Sequence, residues 1–312
     1  MRVTPANPRI LPYGEAALGE AATLIRRGES VAVPTETVYG LAADATDSDA
    51  VAGIYAAKGR PSFNPLIVHV ADMAMAETIA RFDDEAHALA ARFWPGPLTM
   101  VLPLAEGAPV ASLVTAGLPT VALRMPDHRA MQGLIRASGR PLAAPSANAS
   151  GGISPTRAAH VAASLAGRIP LVIDDGATTD GIESTIVDPA LRRILRPGPV
   201  TAEQLPGYGA GATPGAITAP GQLASHYAPS KPVRLDAVAP VDGEWLIGFG
   251  AVAGDDTLSA AGDTREAAAR LFDALHLADA SDRPRIAIAP VPDAGLGRAI
   301  RDRLARAAYP RR

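Results

Sequence analysis

Residues 30–70, SVAVPTETVYGLAADATDSDAVAGIYAAKGRPSFNPLIVHV, decide the fold class. Ser30 to Pro34 is a short apolar run of strand type, followed by the polar triplet Thr35-Glu36-Thr37. Asp47 to Lys58 has helical spacing. Asp47 or Ser48 can cap it, Val51, Ile54 and Tyr55 share an inward side, and Gly59 stops it. Leu66 to Val70 alternates as a strand, with Leu66, Val68 and Val70 on one face and Ile67 and His69 on the other. Strand, helix and strand in so short a stretch point to an α/β domain.

The same alternation extends on both sides. A helix is expected over Ala16–Arg27, closed by Gly28. Strands are expected at Leu98–Leu102, Thr120–Arg124, Leu171–Ile173, Ser184–Val187 and Arg192–Leu195. Helices fit Asp84–Trp94, Asp127–Ala137 and Thr156–Ala166. From Pro197 to Pro232 prolines and glycines interleave and no apolar period survives, so this is a linker of unusual length. A smaller α/β unit follows: strand Glu244–Phe249, helix Thr264–Leu277, strand Arg285–Pro290 and helix Leu296–Ala308. The expected division is a larger α/β domain over 1–200, a linker over 201–232 and a C-terminal α/β domain over 233–312.

The chain has 312 residues, 48% hydrophobic and 20% charged, an ordinary globular balance for about two domains. Its net charge, 29 − 32 = −3, lacks the basic excess of a dedicated nucleic-acid binder. No cysteine is present, which excludes disulfides, iron–sulfur clusters and thiol chemistry. Met1 to Pro12 has no apolar signal-type segment and no run is long enough to span a bilayer, so a cytoplasmic protein without a membrane partner is expected.

Several familiar sites are missing. There is no Walker-type G-x-x-x-x-G-K-[ST], no metal-type histidine spacing and no G-x-S-x-G elbow around Ser146. What remains is a dispersed polar set. Pro34–Gly40 puts hydroxyls and a carboxylate beyond a strand, and Lys58-Gly59-Arg60-Pro61 puts two cations at a helix end. Arg124 ends an apolar strand, where a charge is costly unless it pairs with something anionic. Ser146–Gly152 and Glu183–Asp188 offer small residues and backbone N–H donors. Lys58, Arg60, Arg124 and Arg196 together can neutralise a polyphosphate, so a nucleotide site without a P-loop is the physical reading.

The motifs Pro34–Gly40, Lys58–Pro61, Asn64–Val70, Pro145–Gly151, Ser184–Asp188 and Leu195–Gly198 resemble, in order and spacing, the YrdC-like threonylcarbamoyl-AMP synthases. His226-Tyr227-Ala228-Pro229 and Gly295 to Leu304 resemble the long, two-domain form of that family. The resemblance implies a twisted mixed-sheet N-terminal domain around a positively charged cavity, joined to a smaller Rossmann-like α/β domain. It implies that L-threonine, bicarbonate and ATP, with Mg²⁺ on the phosphates, give threonylcarbamoyl-adenylate and pyrophosphate. A downstream tRNA threonylcarbamoyl transferase machinery would use the product, with at most a weak contact between this chain and tRNA or other RNA.

Carried over by motif, Thr35, His69, Arg124, Thr185 and the backbone near Ala144 would hold L-threonine. Lys58, Arg60, Asn64, Thr120, Ser146, Ser154, Arg196 and Tyr227 would contact ATP. No residue is expected as an obligatory general base and none as a direct metal ligand. Two positions depart from the usual pattern: Ala42 where glycine is common, and Pro220–Ser225, where basic and aromatic residues are commoner. The enzymatic rival is a related carbamoyl-adenylate domain of metal-centre maturation, which the lack of cysteine opposes. The rival from another class is an RNA-binding or ribosome-associated module using the same basic cavity, which the net charge disfavours.

Overall fold

The computed structural model describes residues 7–61, 64–211 and 226–309. Eleven strands form the larger sheet: β1 Arg9–Pro12, β2 Val31–Pro34, β3 Tyr39–Asp44, β4 Ile67–His69, β5 Leu98–Pro103 and β6 Thr120–Arg124, then β7 Leu142–Ala143, β8 Leu171–Asp174, β9 Thr185–Asp188, β10 Arg193–Arg196 and β11 Gly209–Ala210. Their order is β1-β8-β2-β3-β7-β4-β6-β5-β9-β10-β11. The sheet is mixed, because β2 turns back on β3 as a hairpin while β4 runs parallel to β6 and β5 to β9. The second sheet is wholly parallel, β12 Val233–Arg234, β15 Arg285–Ile288, β13 Glu244–Gly248 and β14 Asp256–Thr257 in that order. Thr264–Ala280 and Leu296–Ala307 are its helices. The expected mixed-sheet domain followed by a smaller α/β domain is the observed architecture.

The alternation of residues 66–70 sorts as the sequence indicates. Leu66, Val68 and Val70 enter the main core, while Ile67 joins Val101, Ala122 and Ile186 on the other face. That second face is where polar side chains collect. The helix Ser48–Lys58 starts on Asp47, whose carboxylate accepts from the N–H groups of Asp49 and Ala50. It stops at Gly59 in the left-handed region, which a residue without Cβ enters freely. This stop aims Lys58 and Arg60 inward.

Some elements differ from expectation. The edge strand β1, the strand β3 and the helix Met73–Ile79 carry no usable period. All six residues of β3 are buried, Ala42 among them, so no alternation marks it. The helix expected at Thr156–Ala166 spans only Ala158–Ser164. Residues at the start of the expected linker continue the first sheet, as a 3₁₀ turn Ala202–Gln204 and strand β11. Residues 212–225, with the unusual segment before His226, lie outside the described residues.

The two sheets share apolar packing. Val38, Ile153 and Ile182, in loops of the first domain, join one buried cluster with Tyr227, Phe272 and Ile300. His160 stacks on His276 with ring centres 3.8 Å apart, and Arg157 pairs with Asp273 at 2.8 Å.

Candidate active site

A cavity with about 540 Å³ of empty volume, its open mouth included, lies on the second face of the large sheet. It is built from chain reversals and strand ends. The β2–β3 hairpin is closed by Thr35, whose hydroxyl donates to the Val38 carbonyl at 2.7 Å and accepts from the N–H groups of Thr37 and Val38. Next to it, β4 and β6 end in register on His69 and Arg124. Both side chains are buried.

Arg124 is held on three sides. Its Nε donates to the Gly96 carbonyl at 3.2 Å, one terminal nitrogen to the Thr37 hydroxyl at 2.8 Å, and the other lies 2.6 Å from Glu36 Oε1. The anionic partner that a buried arginine needs is therefore supplied by the neighbouring hairpin. A planar fork fixed in this way presents its remaining N–H groups in a set direction. Burial, with repulsion from Arg124 second, pushes His69 down to about 3, so the ring is neutral at pH 7. Its Nδ1 is buried without a hydrogen-bond partner among the described residues.

The other wall is cationic. Lys58 donates to the carbonyls of Ser146 and Asn148, both at 2.5 Å, and so shapes the Ser146–Asn148 loop. Arg60 donates to the carbonyls of Asn64 and Pro65, and Arg196 to the Ser184 carbonyl and hydroxyl. Among the described residues neither Lys58 nor Arg60 lies within ion-pair distance of a carboxylate. Their carbonyl partners solvate the charge without cancelling it. Burial, then mutual repulsion, holds Lys58 well below its ordinary value, and burial first lowers Arg60 to about 10. Arg196 is also lowered, chiefly by burial. An anion bound between them would relieve these costs.

The last wall comes from the segment that begins at His226. Tyr227 lies in the left-handed region at φ 62°, fully buried, and its hydroxyl has no hydrogen-bond partner among the described residues. A non-glycine residue held there is strained by roughly 1–2 kcal/mol, which marks a position fixed for a purpose. Ala228 N–H donates to the Gly151 carbonyl, and Ser230 and Lys231 anchor on the helix Thr264–Ala280. The Ala228 bond is 2.9 Å.

Comparisons with known proteins bear on this geometry. A family model described as "Telomere recombination", covering the Sua5, YciO and YrdC proteins, matches residues 23–198. A second, described as "Threonylcarbamoyl-AMP synthase, C-terminal domain", matches residues 188–309. The chain belongs to the threonylcarbamoyl-AMP synthase family. It is 41% identical to the threonylcarbamoyl-AMP synthase of Bacillus subtilis, over 96% of this chain and 94% of that one. It is 41% identical to the one from Pyrococcus abyssi, over 92% of each. The crystal structure of P. abyssi Sua5 complexed with L-threonine superposes with a TM-score of 0.88 at 40% identity, covering 96% of this chain and 97% of that one.

Within this family frame the motif residues divide into groups. Thr35, Arg60, His69, Arg124, Ala144, Ser146, Arg196 and Tyr227 line the cavity together. Lys58 stands behind Ser146, and Asn64 behind Arg60 with its buried Oδ1 unpartnered among the described residues. Ser154 donates to Glu183 Oε1 at 2.5 Å, behind that lining residue. Thr185 is not on the lining; its hydroxyl donates to the Val200 carbonyl at 2.7 Å. Thr120 opens β6 at the end opposite Arg124, roughly 13 Å away at strand rise, and is also off the lining.

Motif reading passes over Glu36, Thr37, Glu183, Ser184 and Arg303 as site residues. Glu36 and Thr37 hold Arg124, and Arg303 holds Glu183 at 2.9 Å from the second domain. Only the cost of burying Arg124 hinted that a carboxylate must be near.

Proposed function

We propose that this chain joins L-threonine, bicarbonate or CO₂ and ATP into threonylcarbamoyl-AMP and pyrophosphate, the first step of tRNA threonylcarbamoyladenosine modification. The observation that carries this reading is a cavity with two differently built cationic ends. At one end Arg124 is a rigid fork beside small and neutral groups, Thr35, His69 and Ala144, suited to a small amino acid. At the other, Lys58, Arg60 and Arg196 are held mainly by uncharged acceptors beside Ser146, suited to a polyphosphate.

The threonine carboxylate would lie on Arg124, with Thr35, His69, Ala144 and the Thr185 backbone around it. The amine attacks the carbon of CO₂ and loses a proton to solvent, giving a carbamate. A carbamate oxygen then attacks the α-phosphorus in line, the P–O bond to the β-phosphate breaks, and pyrophosphate leaves. Asn64, Ser146, Ser154 and Tyr227 would orient the nucleotide, and Thr120 its far end. Positioning and charge neutralisation supply most of the rate, so no general base is assigned. Tyr227 and residues 228–232, the described end of the 201–232 linker, would act as a lid and exclude water from a labile product.

Magnesium would enter on the triphosphate and neutralise part of its charge. The donor set of the cavity fits that arrangement. Its charged lining is mainly cationic, its one lining carboxylate, Glu183, is taken by Ser154 and Arg303, and among the described residues no His/Asp/Glu cluster could hold the ion. Among the described residues no helix is long and apolar enough to cross a membrane.

The RNA-binding reading is less suited to the geometry. Lys58, Arg60, Arg124 and Arg196 are 3%, 9%, 3% and 5% exposed, so they meet a ligand drawn inside and cannot follow a phosphate backbone. The deciding experiment is pyrophosphate release from ATP with threonine and bicarbonate supplied or omitted. Release should need both. Release independent of either, or RNA binding at physiological salt without such release, would overturn the proposal.

A further inference from the structure

Arg303 heads the largest fully buried side chains, and it comes from the second domain. Its helix, Leu296–Ala307, sends Arg298 and Arg301 to the surface and this one inward. Each group it meets outside its own helix belongs to the cavity or adjoins it. Nε lies 2.9 Å from Glu183 Oε2 and a terminal nitrogen donates to the Glu183 carbonyl at 3.1 Å. The other terminal nitrogen donates to the carbonyl of Pro197, the residue after Arg196, at 2.7 Å. Its guanidinium carbon stands 5.5 Å from the centre of the Tyr227 ring. Asp302, its chain neighbour, gives a further contact at 3.0 Å.

A buried ion pair is a poor way to gain stability, since desolvation offsets most of the attraction. What a five-donor fork does well is fix several acceptors relative to one another. Here it ties together the segments that carry Ser184, Arg196 and Tyr227. Through Glu183 it reaches Ser154 as well, because that carboxylate takes the Ser154 hydroxyl on its other oxygen.

We propose that Arg303 is a positioning residue through which the second domain sets the nucleotide side of the cavity. The proposal rests on the functional reading above. Glu183 and Tyr227, which it meets directly, Ser154, reached through Glu183, and Arg196, next to Pro197, all lie on that side. Arg124, Thr35 and His69 hang on β2, β4 and β6 and do not touch Arg303. Loss of Arg303 should therefore spare threonine binding.

The test uses the full chain with R303M, R303K and the double variant R303M/E183M. Pyrophosphate release gives kcat and KM for ATP below each melting temperature, and calorimetry gives threonine affinity. R303M should lose about 100-fold in kcat/KM for ATP, the scale of a displacement near 1 Å, with threonine affinity unchanged. R303K should recover part of that loss. Replacing both partners by apolar side chains should restore melting toward the wild type without restoring turnover.

If R303M does not fold, the double variant decides. Turnover that returns with stability would reduce Arg303 to a structural support and overturn the inference. So would a folded R303M within threefold of wild type for ATP, or an equal fall in threonine affinity. Wild-type protein without threonine-dependent release would instead overturn the functional reading itself.

Discussion

Replacing Arg124 tests the proposed substrate recognition apart from folding, because on that reading one guanidinium serves both. In Arg124→Ala the Glu36 carboxylate loses the cation 2.6 Å from Oε1 and keeps only the Asp127 N–H, while Oε2 has no hydrogen-bond partner among the described residues. Removing one partner of a buried pair costs about 3–5 kcal/mol, so this variant should be markedly less stable. Arg124→Lys is the cleaner perturbation. An ammonium can still neutralise Glu36, yet it cannot also reach Thr37 Oγ1 and the Gly96 carbonyl, nor offer two parallel donors to a carboxylate. Losing one charge-assisted hydrogen bond is worth about 1.5–3 kcal/mol, or roughly 10- to 100-fold. We expect kcat/KM for threonine to fall by that factor with the ATP affinity of the free enzyme unchanged. The assay is threonine saturation of pyrophosphate release, beside nucleotide titration by calorimetry. Normal threonine saturation in Arg124→Lys would show that the carboxylate binds elsewhere.

Tyr227→Phe removes a buried hydroxyl with no partner among the described residues, so melting should hold or rise while kcat/KM for ATP drops about tenfold. Unchanged ATP kinetics would remove the hydroxyl from the site. Acid should destabilise the fold, since burial pushes His69 down to about 3 and His160 to about 4, and holds His226 well below its ordinary value. The unfolded chain then binds protons below pH ~6.5 that the folded chain refuses, so this stability is complete above that pH and lost as pH falls. Asp180, pushed up to about 6 mainly by burial, opposes this by one proton. After that opposition the loss should be about 2 kcal/mol between pH 6 and pH 5, and a urea midpoint that is flat or rises on acidification contradicts it. Gly198→Ala would place a Cβ 2.4 Å from Thr185 N and 2.7 Å from Ser184 C, both backbone, and should cost about 3 kcal/mol by thermal melting. Gly53→Ala, with nothing within 4 Å, should be neutral or stabilising; equal melting of the two variants would refute the packing argument.

The legible parts of the fold are those where one period dominates. Residues 66–70 alternate between two different burial environments, and helix Ser48–Lys58 carries its own cap and stop, so both can be read directly. Strand β3 is buried on both faces and β7 has two residues, so neither has a period to read. The site shows the same division. Cations at strand and helix ends announce an anion, because burying them has a cost that sequence alone exposes. Their holders do not announce themselves. Glu36 and Glu183 look like turn residues until the fold puts Arg124 and Arg303 against them, the second from 120 residues away.

The two classes of buried cation follow from what each must do. Arg124 and Arg303 are paired with carboxylates, which cancels their charge and leaves directional N–H groups, useful for orientation. Lys58 and Arg60 are held by carbonyls, which keep their charge in a poorly solvated wall, useful for attracting phosphate. The second arrangement is unfavourable without an anion, as the lowered values of Lys58 and Arg60 show. Stability given up there is recovered on binding, so nucleotide should raise the melting temperature more than threonine does. On the proposed reading threonine would meet a wall already neutralised by Glu36, and would gain from a fork held ready for it. A triphosphate would meet Lys58 and Arg60, which have no carboxylate within ion-pair distance among the described residues, and that difference would let one cavity take both substrates without exchanging them.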